Sequence, residues 1–251
     1  STNSEIKSTI IGKRVSELYL DPLTAQTLLN GLRQYQTKQP PFSLMQLVSH
    51  TLEMRPLLRV GTRDYERVQE QLVAHYDELL LPEPSLSDPR YEDFMASIKT
   101  TLFFEAWLQE NEEAELLEKY DIRPGEIKVK IDIADWLLYA LGELATLVSR
   151  PEVGKDIHRL RICLQYGVRE ELLPLLQLKG IGRKRARRLY AQGIKNLGDV
   201  VKVDLSTLEQ LVGKATAASI KQQLHQEITE IQPGKRKGQL AITKFSGQEV
   251  F

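Results

Sequence analysis

Apolar side chains recur every three or four residues through most of the first two thirds of the chain, which is the pattern of amphipathic helices. Turn-forming pairs such as Pro40-Pro41 and Pro124-Gly125 interrupt this pattern. The sequence therefore predicts an all-α fold that contains a helical bundle of about seven helices. The predicted helices span residues 22–36, 43–51, 63–81, 89–110, 112–119, 125–149 and 153–167.

The two ends of the chain follow other patterns. Residues 5–20 alternate apolar and polar positions around Gly12, which favours a short strand or wing. Residues 169–231 predict a second helical unit that is small, basic and marked by glycine turns, and linker-like composition follows it. The predicted organisation is an end of a preceding domain, a bundle, a small domain and a flexible tail, at residues 1–20, 21–168, 169–231 and 232–251.

The run from Leu178 to Leu189, L-K-G-I-G-R-K-R-A-R-R-L, fits the helix-hairpin-helix pattern. Its two glycines permit a tight hairpin, and Ala186 is small enough to let two helices touch. Amide groups of the hairpin and of the following helix can then hold a phosphate, and the six basic residues add affinity for a nucleic-acid backbone. The candidate DNA-binding residues here are Lys179, Gly180, Gly182, Arg183, Lys184, Arg185, Arg187 and Arg188.

A degenerate second copy of the hairpin follows the first. Val212-Gly213, Ala217 and Ile220 repeat the spacing of Ile181-Gly182, Ala186 and Leu189. Paired hairpins of this kind normally pack as one small domain. The alternative is an ordinary helical hairpin whose arginines are only solvated.

The charge of the chain is zero overall but unevenly distributed. Residues 151–251 carry 18 Lys and Arg against 10 Asp and Glu, whereas residues 1–150 carry 16 against 24. A basic C-terminal part is typical of proteins that bind nucleic acid. The single cysteine, Cys163, excludes a disulfide framework, and the four histidines are scattered, so we expect no metal site. With no membrane span or signal peptide in the pattern, we expect a cytoplasmic protein.

The predicted helix at 125–149 has an unusually wide apolar surface. At about 100° per residue, its polar side chains form one narrow stripe that includes Lys128. Trp136 falls at the edge of this stripe. Two interpretations stay open from spacing alone: a tryptophan at the boundary of the core, or an indole that offers its face to a nucleic-acid base.

Several segments together resemble one family, the archaeal superfamily-two DNA helicases of the Hel/Hjm type, relatives of human helicase Q. The resemblance rests on S-T-I-I-G-K-R-V-S-E-L-Y-L-D-P-L-T-A, F-S-L-M-Q-L-V-S-H-T-L-E-M-R-P-L, Y-D-I-R-P-G-E-I with A-D-W-L, Y-G-V-R-E-E-L-L-P-L and K-G-I-G-R-K-R-A-R-R-L-Y-A-Q-G-I. It covers roughly residues 8–225, and the segments occur in the family's order.

The resemblance implies two motor domains, a winged helix, a helical ratchet bundle and a C-terminal helix-hairpin-helix domain. Residues 1–20 would then be the end of the winged helix. One long ratchet helix of the family contacts the translocated strand through a tryptophan, matched by Trp136, and an upstream arginine. That arginine's position is Val129 here, so we expect the flanking Lys128 and Lys130 to contact DNA, with Lys128 the better substitute because it shares the polar stripe.

The tail carries a second candidate motif. Gln239, Ile242 and Phe245 resemble the pattern with which proteins bind a sliding clamp, and the alternative is chance spacing.

The resemblance implies that the chain is the DNA-binding C-terminal region of an ATP-dependent 3′–5′ DNA helicase that acts on single-stranded and branched DNA in repair and recombination. The chain contains no G-x-x-x-x-G-K-[ST] loop, so we expect no cofactor and no catalysis here; ATP and Mg²⁺ would bind in the motor domains of the parent protein. Two alternatives stay open: a protein-interaction scaffold, and a helix-hairpin-helix repair enzyme such as a glycosylase or nuclease.

Overall fold

The computed structural model describes residues 9–36 and 38–230. All regular elements within these ranges are helices, which confirms the predicted all-α class. The chain divides after Leu173 into two compact units, whereas the sequence places a boundary after residue 168. The candidate clamp-binding residues 239–245 lie outside the described ranges. None of the helices described is long and apolar enough to cross a membrane.

The first unit is a bundle of eight α-helices among the described residues. Short 3₁₀ segments at Tyr76–Glu78 and Glu170–Leu172 complete its regular structure. Each helix predicted between residues 22 and 167 is present. The largest difference is at the helix predicted over 63–81, which ends at Ala74 and is followed by the 3₁₀ segment. The α-helices are α1 (Ile10–Glu17), α2 (Pro22–Gln34), α3 (Pro41–Ser49), α4 (Thr62–Ala74), α5 (Tyr91–Leu108), α6 (Glu113–Tyr120), α7 (Pro124–Leu147) and α8 (Pro151–Tyr166).

The strand or wing expected within residues 5–20 is wrong for the part that the structure describes, because α1 is a helix. Thr9 caps it by accepting a hydrogen bond from the Gly12 amide at 3.0 Å. Val15 and Leu18 are both buried. Their spacing of three residues fits a helix, although the apolar positions of this segment also fit the alternation of a strand. So short a segment cannot distinguish the helical period from the strand period.

Proline marks the beginning of four of the described helices. Pro22, Pro41, Pro124 and Pro151 each occupy the first turn, where the missing amide hydrogen has no partner to lose. The prolines of the turn-forming pairs therefore mark where the next helix begins. This is why the predicted first residues of these four helices lie within two residues of those in the structure.

The centre of the first unit is built around α5 and α7. Phe94, Phe103 and Phe104 of α5 are at most 1% exposed, and α3 packs along this helix. The buried face of α7 packs mainly along α8. This packing holds α7 firmly on one side and leaves its other side available to solvent.

The second unit contains the tandem hairpin. Its helices are α9 (Leu173–Leu176, which begins at the boundary), α10 (Arg183–Ala191), α11 (Leu197–Lys202), α12 (Leu205–Val212) and α13 (Lys214–Glu230). The residues that define the repeat are all buried at equivalent places. They are Ile181, Ala186 and Leu189 in the first copy, and Val212, Ala217 and Ile220 in the second.

Candidate nucleic-acid interface

Helix α7 is the longest described helix, with 24 residues, and it begins at a well-formed cap. Pro124 takes the first helical position, and the Glu126 carboxylate accepts a hydrogen bond from the Arg123 amide at 2.9 Å. The buried face contains aliphatic residues such as Leu137, Leu141 and Leu144, each with no exposed surface. The helix is therefore anchored along its length, and side chains on the opposite face have a rigid support.

The accessible face of α7 is wider than the polar stripe seen in the sequence. Lys128 is exposed and pairs with Asp132 one turn later. Val129 is 56% exposed beside the polar stripe, and Tyr139, which lies within the stripe, is 39% exposed, so apolar and aromatic surface accompanies the charged side chains. A surface that combines a cation with accessible apolar side chains suits a nucleic-acid strand, which has charged phosphates and apolar base faces.

Trp136 lies half-buried at the edge of this accessible face. Its neighbour Leu137 is fully buried, so the boundary of the core passes between these two residues. The chain's other tryptophan, Trp107, has a different position. The Trp107 indole donates a hydrogen bond to the Leu164 carbonyl at 2.7 Å and packs against Gly167, so it connects α5 to the end of α8.

Lys130 is a correction to the predicted DNA-binding set. The residue is 6% exposed, and its ammonium group donates a hydrogen bond to the Pro56 carbonyl oxygen at 2.7 Å. Burial lowers the pKa of this lysine. Lys130 therefore fastens the loop after α3 to α7 and is not available to a phosphate. Its projection at about 200° from Lys128 was the signal that could have excluded it.

Two acidic residues of the polar stripe are neutralised by arginines from other helices. Arg161 of α8 makes a bidentate ion pair with Asp135, at 2.8 and 3.0 Å. Arg14 of α1 contacts Glu143 through Nε at 3.2 Å and Nη2 at 2.5 Å. The hydrogen bonds to Asp135 raise the pKa of the Arg161 guanidinium. The sequence pattern could not reveal either pair, because the partners lie 26 and 129 positions apart.

The first hairpin of the second unit is held by contacts to its main chain. Gly180 adopts a positive φ of 86°, which only glycine tolerates readily, and Gly182 is the N-cap of α10. The Lys179 amide donates to the Gln223 side chain of α13 at 3.0 Å. Nη1 of Arg185 donates to the Gly180 carbonyl at 2.8 Å. This arginine, which the sequence predicts to bind DNA, therefore also stabilises the hairpin.

The basic residues around this hairpin are accessible. Lys179, Lys184, Arg185 and Arg188 are exposed, whereas Arg183 and Arg187 are half-buried. The Arg187 guanidinium also lies over the Tyr190 ring, 5.2 Å from its centroid. All eight predicted hairpin residues thus belong to one turn and the helix that follows it. The residues predicted on α7 belong to the other unit.

A cavity of about 840 Å³ in the first unit offers little reactive chemistry. The Asp156 carboxylate at its edge accepts hydrogen bonds from the Tyr35 hydroxyl at 3.1 Å and the Lys38 amide at 3.2 Å. Cys163 also lines the cavity, where burial raises its thiol pKa to about 12. Among the described residues, no group of His, Cys, Asp and Glu side chains could hold a metal ion.

Comparison with known families connects the α7 surface to a named domain. The family model described as archaeal helicase, domain 4, matches residues 42–167, which include α7 and most of the bundle around it. The chain belongs to this archaeal helicase domain 4 family. Helices α1 and α2 precede the matched region, although α1 supplies Arg14 to the domain 4 helix α7. A second model, described as a SAM-like helix-hairpin-helix tandem, matches residues 172–226 and hence both hairpins.

Three relatives of this domain 4 protein carry the name ATP-dependent DNA helicase Hel308. The protein from Methanococcus vannielii is 35% identical over 85% of this chain and 29% of its own length. That from Methanocaldococcus jannaschii is 36% identical over 86% of the chain and 17% of its own length. That from Pyrococcus horikoshii is 32% identical over 95% of the chain and 33% of its own length. The chain spans about a third or less of the length of these relatives.

Proposed function

We propose that this chain is the DNA-binding region of an ATP-dependent DNA helicase, in which α7 contacts the translocated single strand and the tandem hairpin grips the DNA backbone. The observation that carries the proposal is the accessible face of α7, where Trp136 and Lys128 are both available beside a fully packed core. Relatives that are named ATP-dependent DNA helicases support the assignment.

In this proposal Trp136 holds the DNA strand in place between steps of the motor. An indole face that stacks on a base resists displacement of the strand, and a rigid helix makes that resistance effective between motor steps. Lys128 contributes the electrostatic part by contacting a phosphate, in place of the arginine that the family has at the position of Val129. The motor domains that move the strand, with their ATP and Mg²⁺, would lie elsewhere in a longer protein.

The hairpins supply a grip that does not depend on base sequence. Exposed cations around Gly180 and amides at the start of α10 suit phosphate groups. We further propose 3′–5′ unwinding at forks and branched DNA in repair and recombination. Gln239, Ile242 and Phe245 remain a proposed site for a sliding clamp.

The direct test replaces Trp136 by alanine and measures the affinity of the whole chain for single-stranded DNA. Stacking on a base contributes ~1–3 kcal/mol, so we expect the affinity to fall by ~5-fold to ~150-fold. Because the ring is half-buried, thermal melting of the same variant must show that the fold is kept. The matched control is Trp107→Phe, which removes the hydrogen bond to Leu164 and should lower the melting temperature while the folded protein keeps its DNA affinity.

A Trp136→Ala variant that melts much earlier and binds DNA as tightly as the parent would assign Trp136 to the core. The proposed role of α7 would then be wrong.

A further inference from the structure

Tyr139 lies on the accessible face of α7. The residue is 39% exposed although it lies in the middle of the helix that packs most extensively in the first unit. A tyrosine at a helix surface usually covers neighbouring apolar groups with its ring. Here one face of the ring instead meets a charged side chain that comes from another helix.

Arg161 of α8 covers one face of the Tyr139 ring. Its guanidinium carbon lies 5.2 Å from the ring centroid, a cation–π contact. The bidentate pair with Asp135, one turn before Tyr139, fixes the plane of this guanidinium. The arginine and the aromatic ring are therefore positioned before any ligand arrives.

A second arginine approaches Tyr139 along the other direction of the helix axis. Arg14 of α1 is held by Glu143, one turn after Tyr139. The three α7 residues Asp135, Tyr139 and Glu143 thus form a ladder at intervals of one turn. Each carboxylate holds an arginine, and the ring lies between the two.

The acidic side chains on this face of α7 are all paired with cations, and one arginine nitrogen is left outside these pairs. The carboxylates of Asp132, Asp135 and Glu143 each pair with a cation, so the face presents no unpaired negative charge from these groups to a phosphate. The pair with Asp135 uses Nε and Nη2 of Arg161, so Nη1 is not part of that pair. A phosphodiester oxygen is the acceptor that suits this remaining donor.

Helical geometry places Trp136 and Tyr139 at neighbouring positions on the accessible face of α7. Tyr139 lies about 40° around the helix from Asp135, on whose side Arg161 stands, and about 60° from Trp136 in the opposite direction. The two aromatic residues are separated by a rise of about 4.5 Å along the axis. One extended strand can therefore reach both rings.

We infer that Tyr139 is a second nucleobase platform beside Trp136, backed by the Arg161 guanidinium and flanked by Arg14, and that its ligand is single-stranded DNA. One base stacks on the open face of the tyrosine, and the adjoining phosphate accepts a hydrogen bond from Arg161. This inference rests on the proposed function, because it assumes that the strand runs along α7.

The test measures binding of a fluorescent oligothymidine to the whole chain and to two variants. Tyr139→Leu removes the ring and keeps an apolar side chain, and we expect its affinity to fall by about 5-fold to 150-fold. Tyr139→Phe is the matched control, which keeps the ring and the Arg161 contact and should bind within about twofold of the parent. An equal loss in both variants would show that the hydroxyl group matters and would overturn the inference.

Photo-crosslinking of the unmodified chain keeps the inference testable even where Tyr139→Leu does not fold. Oligothymidine that carries one 5-iodouracil is irradiated, and the crosslinked peptide is identified by mass spectrometry. We expect adducts at Tyr139 and Trp136. Adducts at Trp136 without any at Tyr139 would overturn the inference.

Trp136→Ala separates this inference from the proposed function. Loss of affinity in Trp136→Ala, with parental affinity in Tyr139→Leu, leaves the α7 channel in place and removes the second platform. Parental affinity in both variants removes the channel and the platform together.

Discussion

Lys128 and Lys130 lie two residues apart on α7, and the fold gives them opposite environments. Lys128 has a side chain that is 74% exposed and pairs with Asp132. Lys130 is 6% exposed and donates a hydrogen bond to the Pro56 carbonyl oxygen. Residues two apart on a helix lie about 200° apart, so a helix with one packed face separates them. Lys128 is therefore accessible to solvent, whereas Lys130 attaches a loop to α7.

Methionine substitutions make this difference measurable. Lys130→Met leaves the buried Pro56 carbonyl without its donor, and we expect the free energy of unfolding to fall by ~1–3 kcal/mol with DNA affinity unchanged. Lys128→Met should change stability by less than about 0.5 kcal/mol and flatten the salt dependence of DNA binding by about one phosphate contact. Chemical denaturation and salt-titrated binding distinguish the variants. A flatter salt dependence in Lys130→Met would contradict the buried position.

At the scale of helices, glycines identify where two elements approach closely. A Cβ at Gly31 of α2 would lie 2.5 Å from both terminal methyl groups of Leu47 on α3. A Cβ at Gly154 of α8 would meet nothing within 4 Å. The first glycine is therefore required by packing between helices, whereas the second only adds flexibility to the unfolded chain.

Alanine at each glycine should shift stability in opposite directions. Gly31→Ala forces Leu47 to move, and we expect a loss of ~1–3 kcal/mol. Gly154→Ala should raise the free energy of unfolding by ~0.4–1 kcal/mol. Melting temperatures of the two variants, measured against the parent, check both signs, and a stabilised Gly31→Ala would show that α2 and α3 are packed more loosely than described.

The hairpin of the second unit allows a prediction about backbone binding. Replacing Arg183, Arg185 and Arg187 by glutamate should weaken binding to all DNA sequences alike, with a flatter salt dependence because fewer counterions are released. Arg185 also supports the hairpin through Gly180, so circular dichroism should confirm that the helices remain. The matched comparison is Arg185→Gln alone, which keeps a donor for that carbonyl. Unchanged affinity and salt dependence in the triple variant would mean that these arginines are only solvated.

At the scale of the whole molecule, binding and catalysis should be separable. The sequence contains no phosphate-binding loop, so ATP hydrolysis by this chain should stay at background with or without DNA. Phosphate release, measured on protein that binds single-stranded DNA at full occupancy, provides the check. DNA-stimulated turnover that follows the protein through successive purification steps would place a motor in this chain and contradict the assignment.

The sequence by itself determined the all-α class, most helix positions and the tandem hairpin, because each depends on local patterns. Periodicity of three and four, proline at helix starts and glycine at hairpin turns act over a few residues. The strand expected within residues 5–20 was wrong for the same reason, since α1 offered too few positions to separate the two periods.

Only the tertiary structure decided which side chains of α7 reach solvent and what they meet there. Burial of Lys130 depends on the carbonyl of Pro56, which is 74 positions away in the chain. The setting of Tyr139 depends on Arg14 and Arg161, which arrive from α1 and α8. A sequence pattern shows the face on which a residue lies, but the groups that pair with it are brought there by packing between helices.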